Sequence, residues 1–259
     1  MQSHHRKLSG VTAAAALLLT SQALALQGTY LPDSEFLGSV CKISFFRDRG
    51  MSKTSLASTC SATIISPNRV LTAAHCEVNL DGTPNAKVAC GAMASSPFYN
   101  GGHEVSGRIR TPWYDKKFGM HDLAVLEVDG TFDPDPIRTV TNGTEDDLLL
   151  SHPGACRIYG YGKDKSGTVG RGHVVQFTSF DDPQKPPYSI ASSPNRADSG
   201  DSGGPVLCPA STGEWVIVAV TKSKTKAEDR SYHEQLTEPH MAWLRDVLKK
   251  KTLPAVQGR

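Results

Sequence analysis

The sequence contains no apolar run approaching the ~20 residues that a membrane-spanning helix needs. The run from Val11 to Leu19 falls far short of that length. Charge of one sign is also lacking: 28 basic residues stand against 26 acidic ones, so nothing directs the chain to nucleic acid. The short basic runs at Lys222–Lys226 and Lys249–Lys251 read as solvated loop and tail. No two of the six cysteines have the two-to-four-residue spacing of a zinc knuckle, and none has a histidine at a matching offset, which argues against a structural zinc site. Solenoid-length repeats and low-complexity tracts are absent as well.

What is present begins with an export signal. Arg6 and Lys7 precede the Val11–Leu19 run, and Ala23-Leu24-Ala25 has the small-x-small form of a signal-peptidase site. Residues 1–25 are therefore expected to be removed, with a mature start near Leu26 and a secreted product, extracellular or periplasmic, that keeps no membrane contact. Cleavage takes two basic residues and no acidic ones, leaving the mature chain formally neutral. Cys41, Cys60, Cys76, Cys90, Cys156 and Cys208 form an even set in a chain bound for an oxidising compartment, so disulfides are expected.

With 259 residues, 38% of them hydrophobic, the chain can bury one large core or two small ones. Short runs rich in Val, Ile, Leu, Thr and aromatics, broken by Gly, Pro, Asn and Asp, occur at 40–46, 60–66, 69–73, 86–90, 104–110, 123–128, 156–161, 173–178, 205–208 and 215–221. Their number and spacing predict an all-β barrel or sandwich. Two stretches read as helix: a turn at Thr72–Cys76, and 238–251, with Met241, Leu244, Val247 and Leu248 on one face, Thr237 as N-cap and a lysine-rich end suited to the helix dipole. Gly130–Gly154, with three prolines and little periodicity, reads as a connection. Asn142-Gly143-Thr144 satisfies the glycosylation pattern, a match short enough to arise by chance.

Three segments carry chemistry together. Gly200-Asp201-Ser202-Gly203-Gly204-Pro205 sets a serine in a glycine-rich turn, where missing side chains admit a substrate backbone and let main-chain N–H groups converge. A serine hydroxyl is inert at neutral pH without a base. Leu71-Thr72-Ala73-Ala74-His75-Cys76 supplies a histidine flanked by small residues. The imidazole must in turn be held in one tautomer and stabilised as a cation, which calls for a buried carboxylate. Asp122, opening the apolar run of His121-Asp122-Leu123-Ala124-Val125-Leu126, fits that role. His103, His152, His173, His233 and His240 read as surface or satisfied core residues. The Gly-x-Ser-x-Gly spacing also suits the nucleophile elbow of α/β-hydrolases, but here strands and helices do not alternate and the best histidine motif precedes the serine.

In the order His, Asp, Ser, these segments resemble the signature regions of the trypsin and chymotrypsin family. Cys156-Arg157-Ile158-Tyr159-Gly160-Tyr161-Gly162 is similar to the strand that opens that family's second barrel, and Trp243 sits where its closing helix carries a tryptophan. The resemblance implies a serine endopeptidase folded as two six-stranded Greek-key β-barrels. The first covers about 26–135 and the second about 150–236, with a linker at 136–149 and a terminal helix over 238–251 against the first barrel. It implies His75 as general base and acid, Asp122 as orienting carboxylate, Ser202 as nucleophile, and the N–H groups of Gly200 and Ser202 as oxyanion hole. It further implies bridges Cys60–Cys76 and Cys156–Cys208, which leaves Cys41 and Cys90 as the remaining pair. The partners it implies are a peptide or protein substrate and a protein inhibitor, acting on a monomer, with no metal or organic cofactor.

The sequence departs from the family in two places. No Lys or Arg lies between Leu26 and Cys41, so the usual tryptic activation site is missing. The expectation is that signal cleavage itself exposes a terminus near Leu26 whose amine reaches Asp201. At the specificity pocket, Arg196 stands where trypsin carries its aspartate and Asp198 where the family has a half-cystine, with Thr221-Lys222-Ser223 as the facing wall. Arg196 would favour acidic side chains and Asp198 basic ones, the two could pair to leave a polar pocket, or the loop is reshaped and neither faces substrate. A second class of function, a secreted binding protein on a peptidase scaffold, keeps the fold but loses catalysis.

Overall fold

The computed structural model describes residues 29–30, 38–48, 54–81, 85–94, 102–133, 135–137, 156–162, 173–176, 189–192, 197–210, 212–225 and 230–256. The signal segment, most of the linker, Asn142 and Arg196 lie outside the described residues.

Among the described residues thirteen strands make two antiparallel units. Strands β2 (Val40–Asp48), β3 (Thr54–Ser66), β4 (Arg69–Thr72), β5 (Asn85–Cys90), β6 (His103–Arg110) and β7 (Ala124–Val128) close into a barrel in the order β2-β3-β4-β7-β6-β5. Closure leaves no unpaired strand edge, and the period-2 alternation puts Cys41, Ile43 and Phe45 of β2 on one face, all fully buried. Strand β7 is buried along its whole length, which accounts for its continuous apolar character.

The second unit contains β1 (Thr29–Tyr30), β8 (Arg157–Gly160), β9 (His173–Gln176), β10 (Ser189–Ser192), β11 (Pro205–Pro209), β12 (Trp215–Thr225) and β13 (Arg230–Gln235). Among the described residues it is a seven-stranded sheet, β1-β9-β8-β11-β12-β13-β10, rather than the expected six-stranded barrel. The extra strand is β1. It falls in the range expected for the first barrel but pairs with β9, Thr29 opposite Val174 and Tyr30 opposite His173.

All ten expected strand runs are strands. Three strands were not anticipated: β1 and β10 are too short to show a period, and β13 (Arg230-Ser231-Tyr232-His233-Glu234-Gln235) reads as polar. In the fold Ser231, Tyr232, His233 and Glu234 are buried. Lys222, expected in a solvated loop, is likewise buried, within β12.

Helix α1 (Ala74–Glu77) carries His75, and α2 (Gly91–Ala94) is a single turn after β5. Helix α3 (Glu238–Lys249) ends two residues before the expected Lys251. It lays Trp243, Leu244 and Val247 on the core that it shares with the first barrel. The chain then returns along β6, where Arg108 N–H donates to the Pro254 carbonyl at 2.8 Å. Tyr159, Tyr161, Leu207, Ile217, Val220 and Leu236 of the second unit join this same core, so the two units meet over apolar surface rather than through a wet gap.

Candidate active site

Asp122 sits at the mouth of the barrel just before β7. Thr111 holds the approach: its hydroxyl donates to the His121 carbonyl at 2.6 Å and its N–H to the Leu123 carbonyl at 3.0 Å. His121 adopts φ 53°, a left-handed conformation found at no other non-glycine among the described residues, and this turn faces the Asp122 carboxylate toward α1. One oxygen, Oδ1, accepts from the His75 backbone N–H at 2.8 Å and the other, Oδ2, lies 2.7 Å from His75 Nδ1. A carboxylate can only accept, so Nδ1 carries the proton and Nε2 keeps its lone pair. Asp122 is 3% exposed, whereas the His75 side chain is 35% exposed. The carboxylate is thus held in the protein and the imidazole opens toward solvent.

Ser202 approaches from the other unit. Its carbonyl accepts from the Ser61 N–H at 2.7 Å and lies 3.6 Å from Cys76 Sγ, which is itself 3.7 Å from His75 Nε2. The Cys60–Cys76 bridge fastens α1 to β3 at this point. Its two sulfurs and His75 are close enough to suggest a metal cluster, but disulfide sulfurs are not thiolates and cannot serve as zinc ligands. Two further bridges join Cys41 to Cys90, directly opposite on β2 and β5, and Cys156 to Cys208.

The turn carrying Ser202 is clamped from both sides. Gly203 N–H donates to the Thr221 carbonyl at 2.7 Å and Thr221 N–H to the Gly204 carbonyl at 2.8 Å. Gly203 has φ 87°, and a Cβ there would collide with Thr72 Oγ1 and the Ser61 carbonyl, so only glycine fits. The Ser61 hydroxyl donates to the Gly200 carbonyl at 2.8 Å and accepts from the Tyr161 N–H at 2.8 Å. Neither Gly200 N–H nor Ser202 N–H donates to another described residue. Sequence reasoning did not single out Ser61, since a serine after a half-cystine carries no local signal and its partners are about a hundred residues away.

Asp201 is 1% exposed. Its Oδ1 accepts from the Gly162 N–H and its Oδ2 from the Asp198 N–H, each at 2.8 Å. A Cβ at Gly160 or Gly162 would strike this carboxylate, which gives the Gly-Tyr-Gly sequence at the end of β8 its physical reason. Asp198 lies on the same turn, with its Oδ1 2.5 Å from the Ser199 N–H. Ser223 stands in β12 opposite Tyr232; its side chain, like all of Arg196, lies outside the described residues. Asp198 is not among the residues that line the cleft of about 480 Å³ beside α1, whose walls include Val78, Arg110, Thr111 and Tyr114.

Behind Asp122 lies a buried ionisable group that the sequence did not reveal. Lys222 Nζ donates to Glu234 Oε2 at 3.0 Å and to the Gly119 carbonyl at 2.9 Å. Burial pushes the Glu234 carboxyl up to about 7, with Lys222 opposing. Burial lowers His240 to about 4 and also lowers His121. Tyr114 is pushed up to about 12 by burial and by the Asp122 charge.

A family model described as Trypsin matches residues 41–235. No curated protein sequence matches the chain. Among solved structures, that of HL collagenase superposes with a TM-score of 0.63 at 16% identity, covering 83% of this chain and 95% of its own. At that identity the likeness speaks for the fold alone.

Proposed function

This chain belongs to the trypsin family of serine-type endopeptidases, and on that premise we propose that it is a secreted enzyme working through an acyl-enzyme on Ser202. The observation that carries the reading is the His75–Asp122 pair: a buried carboxylate gripping both Nδ1 and the backbone N–H of a half-exposed histidine. With Nδ1 protonated, His75 Nε2 takes the Ser202 hydroxyl proton as Oγ bonds to the peptide carbonyl carbon. The resulting oxyanion is received by the Gly200 and Ser202 N–H groups. Nε2 then returns the proton to the leaving amine as the C–N bond breaks, and water repeats the sequence on the ester.

Export follows from the signal-like residues 1–25, and among the described residues no helix is long and apolar enough to cross a membrane. The terminal amine at Leu26 is assigned to Asp201. Tyr30 lies opposite His173, which lies opposite Gly160, whose Cα abuts the Asp201 carboxylate. Two strand spacings amount to about 10 Å, within the reach of the residues ahead of Thr29. The enzyme acts as a monomer on peptide or protein substrates and is open to protein inhibitors of the same cleft. The Asp198 carboxylate beside the Ser199 N–H favours a reshaped specificity loop over a tryptic pocket.

The test is covalent labelling of the mature, bridged protein with a fluorophosphonate, followed by N-terminal sequencing of the labelled chain. Labelling at Ser202, lost in Ser202→Ala and in His75→Ala, supports the mechanism. A folded mature chain that takes no label would instead be a binding protein on this scaffold. A start well downstream of Leu26 would overturn the assignment of the terminus.

A further inference from the structure

Three donor atoms from separate parts of the chain converge one residue from Asp122. His121 comes from the turn before β7, Glu234 from β13 and His240 from α3; each offers one ligand atom, and the three lie within 4.8 Å of one another. His121 Nδ1 is 3.0 Å from His240 Nε2, and His240 Nε2 is 4.0 Å from Glu234 Oε1. Donors around a tetrahedral ion with bonds of ~2.0–2.1 Å lie roughly 3.3 Å apart. The set therefore needs a modest inward movement of one carboxylate oxygen to close on an ion.

Two independent features point the same way. Glu234 is fully buried, and its Oε1 is an orphan: Lys222 occupies Oε2, while no hydrogen bond reaches the oxygen that faces the histidines. Leaving such an atom uncompensated is unfavourable, and a cation would supply the missing partner. His240 is oriented from its far side. Its Nδ1 accepts from the Thr237 N–H at 3.3 Å in the capping box of α3 and lies 3.1 Å from the Gln235 carbonyl, so the ring is held by its far nitrogen and Nε2 is turned into the cluster. Neighbouring groups that hold the far nitrogen of a ligand histidine and orient its ring are the usual outer support of a metal site. His121 is held at φ 53° and packs edge-on against His240, with Trp113 edge-on to His121 and tilted against His240.

We propose that His121 Nδ1, His240 Nε2 and Glu234 Oε1 form a binding site for one divalent cation of the zinc class. Two imidazoles and one carboxylate suit zinc, cobalt or copper and are poor ligands for calcium or magnesium. Lys222 keeps the carboxylate monodentate by holding Oε2. His240 and Glu234 are fully buried, whereas His121 is only partly so. The ion therefore enters on the His121 side and keeps its fourth position there for water. Because His121 precedes Asp122 directly, occupancy bears on the carboxylate that grips His75.

The test is a cobalt(II) titration of the untagged, mature Ser202→Ala protein, which removes self-digestion and makes the result independent of peptidase chemistry. One equivalent of cobalt is expected to produce visible d–d bands of tetrahedral intensity that one equivalent of zinc abolishes. His121→Asn, which tolerates the left-handed backbone, and His240→Gln should each weaken cobalt binding by well over a hundredfold, beyond the 10–100-fold typical of losing an outer support. Absence of stoichiometric binding in the Ser202→Ala protein would overturn the proposal, as would unchanged bands in a His121→Asn protein whose near-UV spectrum is native.

Discussion

Ser61 works at long range with a short side chain. Fully buried in β3, it spends its N–H on the Ser202 carbonyl and its hydroxyl on Gly200 and Tyr161, three partners in the opposite unit. Replacing it with alanine strips the Tyr161 N–H and the Gly200 carbonyl of their buried partner while leaving the backbone bond to Ser202. We expect Ser61→Ala to lose about 1–3 kcal/mol of stability. In the proposed mechanism the Gly200–Ser202 turn receives the oxyanion, so loosening it should lower kcat about tenfold, equivalent to about 1.4 kcal/mol of transition-state stabilisation. KM should change little, because the substrate cleft is untouched. Steady-state kinetics beside urea denaturation separate the two effects, and an unchanged kcat in a destabilised variant would reduce Ser61 to a packing role.

At the scale of elements, the terminal helix is held to the barrel by one buried cation as well as by its apolar face. Arg69, in β4, makes a two-pronged bond to Glu127 Oε2 of β7, at 2.9 Å from Nε and 2.7 Å from Nη2. Its remaining N–H groups donate to the carbonyls of Val247 at 2.8 Å and Lys250 at 2.6 Å, satisfying the orphan acceptors at the end of α3. Arg69→Ala would leave Glu127 buried without its counter-charge and the helix end without its donor. The expected cost is about 3–5 kcal/mol, read as a lower urea midpoint. Arg69→Lys should recover only part of it, since an ammonium cannot span the carboxylate and two carbonyls at once. A loss below about 1 kcal/mol would show that the apolar face of α3 suffices.

Across the whole molecule, Tyr161 links the two units. Its phenol is fully buried and donates to the Val40 carbonyl in the barrel at 3.2 Å. Burial raises its pKa above the ordinary value near 10. The native state therefore keeps a proton that the unfolded chain releases above about pH 10. Stability from this group is fully present below that pH and is lost as pH rises toward the folded value, at up to about 1.4 kcal/mol per pH unit. Urea titrations between pH 8 and 11.5 should show a shallower decline in Tyr161→Phe, which retains the contributions of Tyr114 and Tyr159, likewise raised by burial. Parallel declines in the two proteins would remove Tyr161 from the account.

The sequence by itself determined the β-rich architecture and the three segments that converge on the His75–Asp122 pair and the Ser202 turn. Those features are written locally: apolar runs punctuated by turn residues, glycines where no side chain fits, and reactive residue types in short distinctive contexts. Tertiary structure alone decided what depends on burial of polar groups. Lys222 reads as one of several lysines in a solvated run, and Arg230–Gln235 as a polar stretch. Only the pairing of β12 with β13 shows that Lys222 and Glu234 neutralise each other in the interior and so permit a charged strand there. The same holds for Ser61, whose value lies in partners about a hundred residues distant, and for His240, which belongs beside His121 only once α3 has folded back onto the barrel. Hydrophobic periodicity records where apolar surface goes; it carries no record of which polar groups will meet once water has been excluded.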